Sequence, residues 1–249
     1  PAICVHTNDD QEEVATKFQE YDLLAMPVVD NENRIVGIIT IDDIVDVIEA
    51  ENTEDMELMA ALHPSEAQYL KTGIWRLARN RIGWLMVLMI SATFTGEIIG
   101  HFEEMLTTAV ILAAFIPMLM DTGGNCGSQS STLIIRGMAV GEIHLKDWTA
   151  VLWKELRVSM IVGLALSMVN LVRIMLFTKS NFQVEIVVTI TLFITVVFSK
   201  TVGCCLPLFA RLCKMDPALM ASPLITTIVD AFALLFYFVT ASLIMGTPG

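Results

Sequence analysis

The chain has 249 residues, 55% hydrophobic and 17% charged, with a mean hydropathy of +0.65, a balance outside that of ordinary soluble domains. Its net charge of −12 is unevenly divided: residues 1–70 carry seventeen acids against Lys17 and Arg34, and the remainder is slightly basic. An acidic front of this kind repels nucleic acid and attracts cations, which excludes a nucleic-acid partner. Cys4, Cys126, Cys204, Cys205 and Cys213 form no CxxC pair, so they read as reduced packing residues rather than a disulfide framework or a zinc site. No signal peptide is recognisable, and the start at Pro1 without a methionine points to a fragment of a longer chain.

Along the front, "EEVATKFQEYDLLAMPVVD" predicts a helix whose apolar face is Val14, Phe18 and Tyr21, followed by a strand in "AMPVVD". "NEN" is a turn, "RIVGIIT" a second strand, and "IDDIVDVIEAEN" opens a helix with Asp42 and Asp43 in its first turn, where the helix dipole favours acids. This strand–turn–strand–helix order, with the pattern "MPVVDNENRIVGIITIDDIVDVI", resembles a CBS domain over residues 1–50. The resemblance implies a weak adenine-nucleotide site at Gly37, Thr40 and Asp43, with ATP as its ligand. CBS domains work as tandem pairs and one unit is present, in keeping with a truncated front.

The helix from Ile41 onward holds eight carboxylates in the sixteen residues from Asp42 to Glu57. Asp43, Asp46, Glu54 and Asp55 have no basic residue three or four positions away to relieve repulsion along the helix. A solvated face is the plain explanation of most charge runs. Hard oxygen ligands at this density also suit Mg²⁺ or Ca²⁺, and a cation bridging two acidic surfaces is a sensor.

Behind the front lie five apolar segments long enough to cross a bilayer, at about 82–102, 105–136, 156–177, 184–210 and 217–245. Lys71, Arg76, Arg79 and Arg81 precede the first; Arg136, Lys146, Lys154 and Arg157 fall between the second and third; Arg211 and Lys214 lie between the fourth and fifth. The opposite loops carry only Lys179. The positive-inside rule then places the N-terminus in the cytoplasm and the C-terminus outside. The fold class expected is an α-helical membrane protein, five transmembrane helices preceded by a partial cytoplasmic α/β domain. Its divisions are 1–50, an acidic linking helix and connector at 51–80, and a five-helix pore domain at 81–249.

Two places in the membrane part carry chemistry. In "PMLMDTGGNCGSQSSTLIIRG", Asp121, Asn125, Gln129, Thr132 and Arg136 recur at helical spacing as a polar stripe. Gly123 and Gly127 form a GxxxG pair that lets another helix approach closely. Close packing accounts for the small residues but not for Asp121, Asn125 and Gln129 sharing a face, which a water-filled path would explain. In "PLITTIVDAFALLFYF", Asp230 is the first charge after Asp216 and the last in the chain. A charge at the bilayer centre costs about 3 kcal/mol on insertion scales, so this carboxylate must face water, a cation or a base. Arg136 and Lys200 are the possible bases. Pro223, Thr226 or Thr227, and Asp230 share one face, and Pro223 is expected to free the Leu219 carbonyl. A carboxylate beside freed carbonyls is a Mg²⁺ stop in a pore.

"FIPMLMDTGGNCGSQSSTLIIRGMAVGEI" and "DPALMASPLITTIVDAFALLFYF" together look like the transmembrane domain of the MgtE family of magnesium channels. The resemblance implies a homodimer with the pore between subunits and Mg²⁺ bound at Asp230 with help from the Thr226 carbonyl. It implies pore-lining or supporting roles for Asn125 and Asp216, and polar positions at Glu103 and Glu155. It also implies an acidic plug at Asp43, Asp46, Glu54 and Asp55, through which cytoplasmic Mg²⁺ holds the channel shut.

The function expected is a Mg²⁺-selective channel of the bacterial inner membrane. A coupled transporter of Mn²⁺ or Co²⁺ is the rival, for which Asp216 and Glu103 are the candidate second titratable groups. The electrical gradient alone favours entry of a divalent cation by about 4.6 kcal/mol per 100 mV, so the channel needs no coupling site. The absence of HExxH, or of a nucleophile with its base, argues against an enzyme.

Overall fold

The computed structural model describes residues 3–65, 69–178, 181–220 and 222–246; Lys179, used above for orientation, lies outside them. The chain divides into two compact units, Pro1–Leu58 with Pro64–Thr72, and Met59–His63 with Gly73–Gly249.

In the first unit, strand β1 (Val5–His6) precedes helix α1 (Gln11–Glu20), strands β2 (Ala25–Val29) and β3 (Ile35–Thr40), and helix α2 (Ile41–Met59). Asp10 caps α1 by accepting from the Glu12 amide at 2.9 Å, which satisfies one of the orphan donors of the first turn. The sheet order is β1-β2-β3. β2 pairs antiparallel with β3, Met26 opposite Ile39 and Val28 opposite Gly37, and β1 adds parallel to β2. Asp30 makes the turn by accepting the Glu32 and Arg34 amides, each at 2.9 Å. The Arg34 amide, more than any other contact, holds its carboxyl below the usual carboxylate range. Val5, Val14, Ala15, Phe18, Met26 and Ile44 form the core. Tyr21, expected on the same face as Val14 and Phe18, instead ends α1 and is exposed, because the chain leaves helical geometry there.

In the second unit, α3 (Ile74–His101) leads into the short α4 (Glu103–Thr108) and a 3₁₀ stretch at Val110–Phe115. Helices α5 (Ile116–Ala139), α6 (Trp148–Phe177), α7 (Phe182–Leu212) and α8 (Ser222–Met245) follow. Among the described residues, five helical runs are long and apolar enough to cross a membrane: Ile74–His101, Val110–Ala139, Leu145–Phe177, Phe182–Leu212 and Pro217–Met245. The first begins eight residues before the apolar segment expected at 82, because Arg76, Arg79 and Arg81 extend the helix beyond its apolar part.

The second expected segment, 105–136, is not one helix. α4 ends at Ala109, the backbone tightens to 3₁₀, and α5 starts afresh with Pro117 in its first turn, where a missing amide costs nothing. The Tyr237 hydroxyl of α8 donates to the Leu112 carbonyl at 2.9 Å, satisfying an acceptor in this irregular stretch. Leu112, Phe115, Leu119, Val187, Leu192, Leu234 and Phe238 pack around it. The outward faces of α3 and α6 stay apolar and exposed, including Leu85, Met89, Phe94, Ile161, Met168 and Phe177.

Candidate functional site

α5 has two opposed faces. Gly123, Gly124, Gly127, Ser130 and Ser131 are buried, whereas Asp121, Asn125, Gln129, Thr132 and Arg136 are exposed. The glycines face neighbouring helices so closely that side chains would collide. A Cβ on Gly123 would meet Thr195 and Val229 at 2.8 Å, and one on Gly127 would meet Ile225 at 2.6 Å and the Ser199 hydroxyl at 2.7 Å. Gly203 of α7 rests on the Gly127 backbone, and the Ser199 hydroxyl donates to the Gly123 carbonyl. The small residues therefore clamp α5 between α7 and α8, and the polar stripe is turned outward from the bundle.

The same contact brings α8 to the stripe. A Cβ on Gly124 would lie 2.9 Å from Thr226, and Asn125 is the next residue along. Asp230 lies one turn beyond Thr226 on α8 and is half-buried. Among the described residues no hydrogen bond or ion pair engages it, and Asp121 is the charge within electrostatic range. Thus Asp230, Thr226, Asn125 and Asp121 gather along the α5–α8 seam.

Several expected partners lie elsewhere. Lys200 is 5% exposed and donates to Ser130 at 3.3 Å, not to Asp230, and Arg136 is exposed on the stripe without a bond to Asp230. Pro223 is the second residue of α8, so it breaks no helical bond and frees no Leu219 carbonyl. Its own carbonyl accepts the Thr226 and Thr227 hydroxyls at 2.9 and 3.0 Å. Asp216 is exposed and accepts the Ala218 amide at 2.8 Å, starting the 3₁₀ turn Pro217–Met220. Glu103 opens α4 and is exposed. Cys126 and Cys204 are buried free thiols, but Cys205 and Cys213 are exposed, not packed as expected.

In the first unit, the Thr40 hydroxyl donates to Asp43 at 3.1 Å, Glu51 accepts from Gln11 at 2.7 Å, and Glu57 accepts the Ser65 amide at 2.8 Å. A Cβ on Gly37 would meet nothing within 4 Å. Among the described residues no three His, Cys, Asp or Glu side chains converge as a metal site. Any cation on α2 therefore needs oxygens from a further surface or from water.

Residues 116–240 match the MgtE divalent cation transporter family, and residues 1–50 match the CBS domain. The chain is 39% identical to the magnesium transporter MgtE of Thermus thermophilus over 98% of its length and 54% of the relative's. It is 37% identical to the Bacillus subtilis protein of that name over 92% of the chain, and 30% identical to the Enterococcus faecalis one over 98%. The chain belongs to the MgtE family. It spans about half the length of these curated relatives. MgtE membership together with the five long apolar helices makes it a multi-pass membrane protein with a CBS region at its front.

The electrostatic proximity of Asp121 to Asp230 is not legible in the sequence, although Asp121 stands in the stripe. The bond from Ser130 to the Glu155 carboxylate at 2.7 Å was also missed. Its one visible signal is Lys200, a base in the middle of a largely apolar helix whose other base, Arg211, stands in its last turn.

Proposed function

We propose that this chain conducts Mg²⁺ through a path shared by two copies, with Asp230 as the ion site. One observation carries this reading. The stripe Asp121, Asn125 and Gln129 is exposed beside a half-buried Asp230 that has no hydrogen-bond or ion-pair partner among the described residues, in a bundle whose outer faces on α3 and α6 are largely apolar. Lipid cannot cover such a face at tolerable cost. A second copy related by a two-fold axis would enclose it and double its carboxylates. The Thr226 main-chain carbonyl and Asn125 then complete an oxygen-lined passage, with Asp216 at its end. Mg²⁺ sheds water reluctantly, so it passes Asp230 hydrated, and the membrane potential drives it.

The names of the relatives support Mg²⁺ as cargo. The membrane is the bacterial inner membrane, with the N-terminus in the cytoplasm and the C-terminus outside. Asp43, Asp46, Glu54 and Asp55 form the regulatory face, where cytoplasmic Mg²⁺ bridges α2 to other acidic surfaces and holds the path shut. The open surface at Gly37 and the Thr40–Asp43 bond would admit a nucleoside ribose, with ATP as ligand.

The experiment is divalent flux into liposomes containing the chain, with Mg²⁺, Ca²⁺, Mn²⁺ and Na⁺ compared, together with thiol cross-linking of Asn125→Cys. Mg²⁺ flux driven by potential, and a cross-linked dimer above the background of native thiols, are expected. Flux from monomers, or an Asn125→Cys face labelled only by lipid-soluble reagents, would overturn the shared path. Asp121 beside Asp230 favours one second reading, a proton-coupled transporter of Mn²⁺ or Co²⁺. Flux that follows a pH gradient at zero potential would select it.

A further inference from the structure

Three helices of the membrane unit meet where a hydroxyl links a buried lysine to a half-buried carboxylate, a relay that the proposed ion path does not use. Lys200 of α7 is 5% exposed and Ser130 of α5 is fully buried. The Lys200 ammonium donates to the Ser130 hydroxyl at 3.3 Å, and that hydroxyl donates to Glu155 of α6 at 2.7 Å. An ammonium only donates and a carboxylate only accepts, so the hydroxyl between them has one usable orientation. Lys200 lies within electrostatic range of the Cys126 thiol, and Glu155 within range of the Cys204 thiol.

This relay has a companion one residue earlier on α7, where Ser199 donates to the Gly123 carbonyl. Successive α7 residues thus grip α5 at 123 and at 130, separated by roughly 10 Å at the usual helical rise. Two grips at different heights fix a helix in rotation as well as in position. Rotation matters here because Ser130 adjoins Gln129, and the buried and polar faces of α5 alternate within single residues. A turn of the helix by one residue's angle would carry the face shared by Asn125 and Gln129 away from its outward position.

We propose that Lys200, Ser130 and Glu155 act together as positioning residues that set the rotation of α5 and so aim Asp121, Asn125 and Gln129 into the ion path. This rests on the reading of that stripe as path-lining. Lys200 itself stays out of the path, since its ammonium would repel a divalent cation there.

The test uses Lys200→Met, Ser130→Ala, Glu155→Gln and the double variant Lys200→Met/Glu155→Gln. Each is measured for Mg²⁺ flux in liposomes and, with Asn125→Cys added, for cross-linking in membranes. Lys200→Met and Ser130→Ala should each lower flux about tenfold, the loss usual when a supporting residue behind a metal site is removed, and should weaken cross-linking. The double variant should be no worse than Lys200→Met alone, because the pair acts as a unit. Lys200→Arg, which keeps the cation, should retain most of the flux. Glu155→Gln keeps size and shape, so it isolates the charge even if Lys200→Met fails to fold. Wild-type flux and cross-linking in Glu155→Gln and Ser130→Ala, or losses that simply add in the double variant, would overturn the proposal. Failure of the Asn125→Cys parent to cross-link would instead sink the shared path, and the relay's role with it.

Discussion

At the scale of single residues, the membrane makes Asp230 informative. In water a carboxylate explains itself, but here it stands after a long uncharged run and is half-buried, with no bonded partner among the described residues. Asp230→Asn preserves shape and removes only the charge. It should lower Mg²⁺ affinity and flux by about ten- to a hundredfold, the scale of a lost charged partner, while the protein still elutes as folded material. Titration calorimetry and liposome flux check this, and unchanged values in a folded variant would remove Asp230 from the path. Asp230 and Asn125 were legible because charge and amide groups are scarce in apolar sequence. Pro223 was misread for a physical reason: a proline frees a carbonyl only inside a helix, and sequence alone did not show that α8 begins one residue before it. Lys200 was noticed, but its partner could not be known, since Ser130 and Glu155 lie on two other helices.

At the scale of elements, periodicity gave the polar stripe and the close-packing glycines of α5, and both stand in the fold. The break before α5 was not legible, because hydropathy runs unchanged through "LTTAVILAAF" and no glycine or proline marks the change until Pro117. The glycines differ sharply in what they permit. Gly127→Ala would place its Cβ 2.6 Å from Ile225 and 2.7 Å from the Ser199 hydroxyl. Overpacking of this kind costs about 1–3 kcal/mol, so the variant should unfold at a lower temperature in detergent. Gly96→Ala, on α3 with nothing within 4 Å, should instead be neutral or gain up to about 1 kcal/mol from helix propensity. Equal thermal shifts for the two would mean that α5 is not tightly held by α7 and α8.

At the scale of the whole molecule, the two units divide the work by charge. The first carries the excess acid, and the second carries the apolar helices and most of the bases. α2 concentrates eight carboxylates between Asp42 and Glu57, yet no three metal-binding side chains converge among the described residues. A cation there would take its remaining oxygens from another surface or from water, and the first of these is what the proposed sensor uses. Neutralising Asp43, Asp46, Glu54 and Asp55 together should abolish inhibition by cytoplasmic Mg²⁺ and leave permeation intact. Mg²⁺ need only bind the closed arrangement more tightly than the open one, and several weak sites acting together would make the response steep. Because the chain spans about half of its relatives, the measurement belongs in a version that carries the complete cytoplasmic part. Limited proteolysis across residues 41–62 during Mg²⁺ titration, read alongside flux, should show protection and closure rising together in the parent. In the neutralised variant protection should be lost while flux persists. Cleavage and flux that are both indifferent to Mg²⁺ in the parent would reduce the acidic run to a solvated helix face.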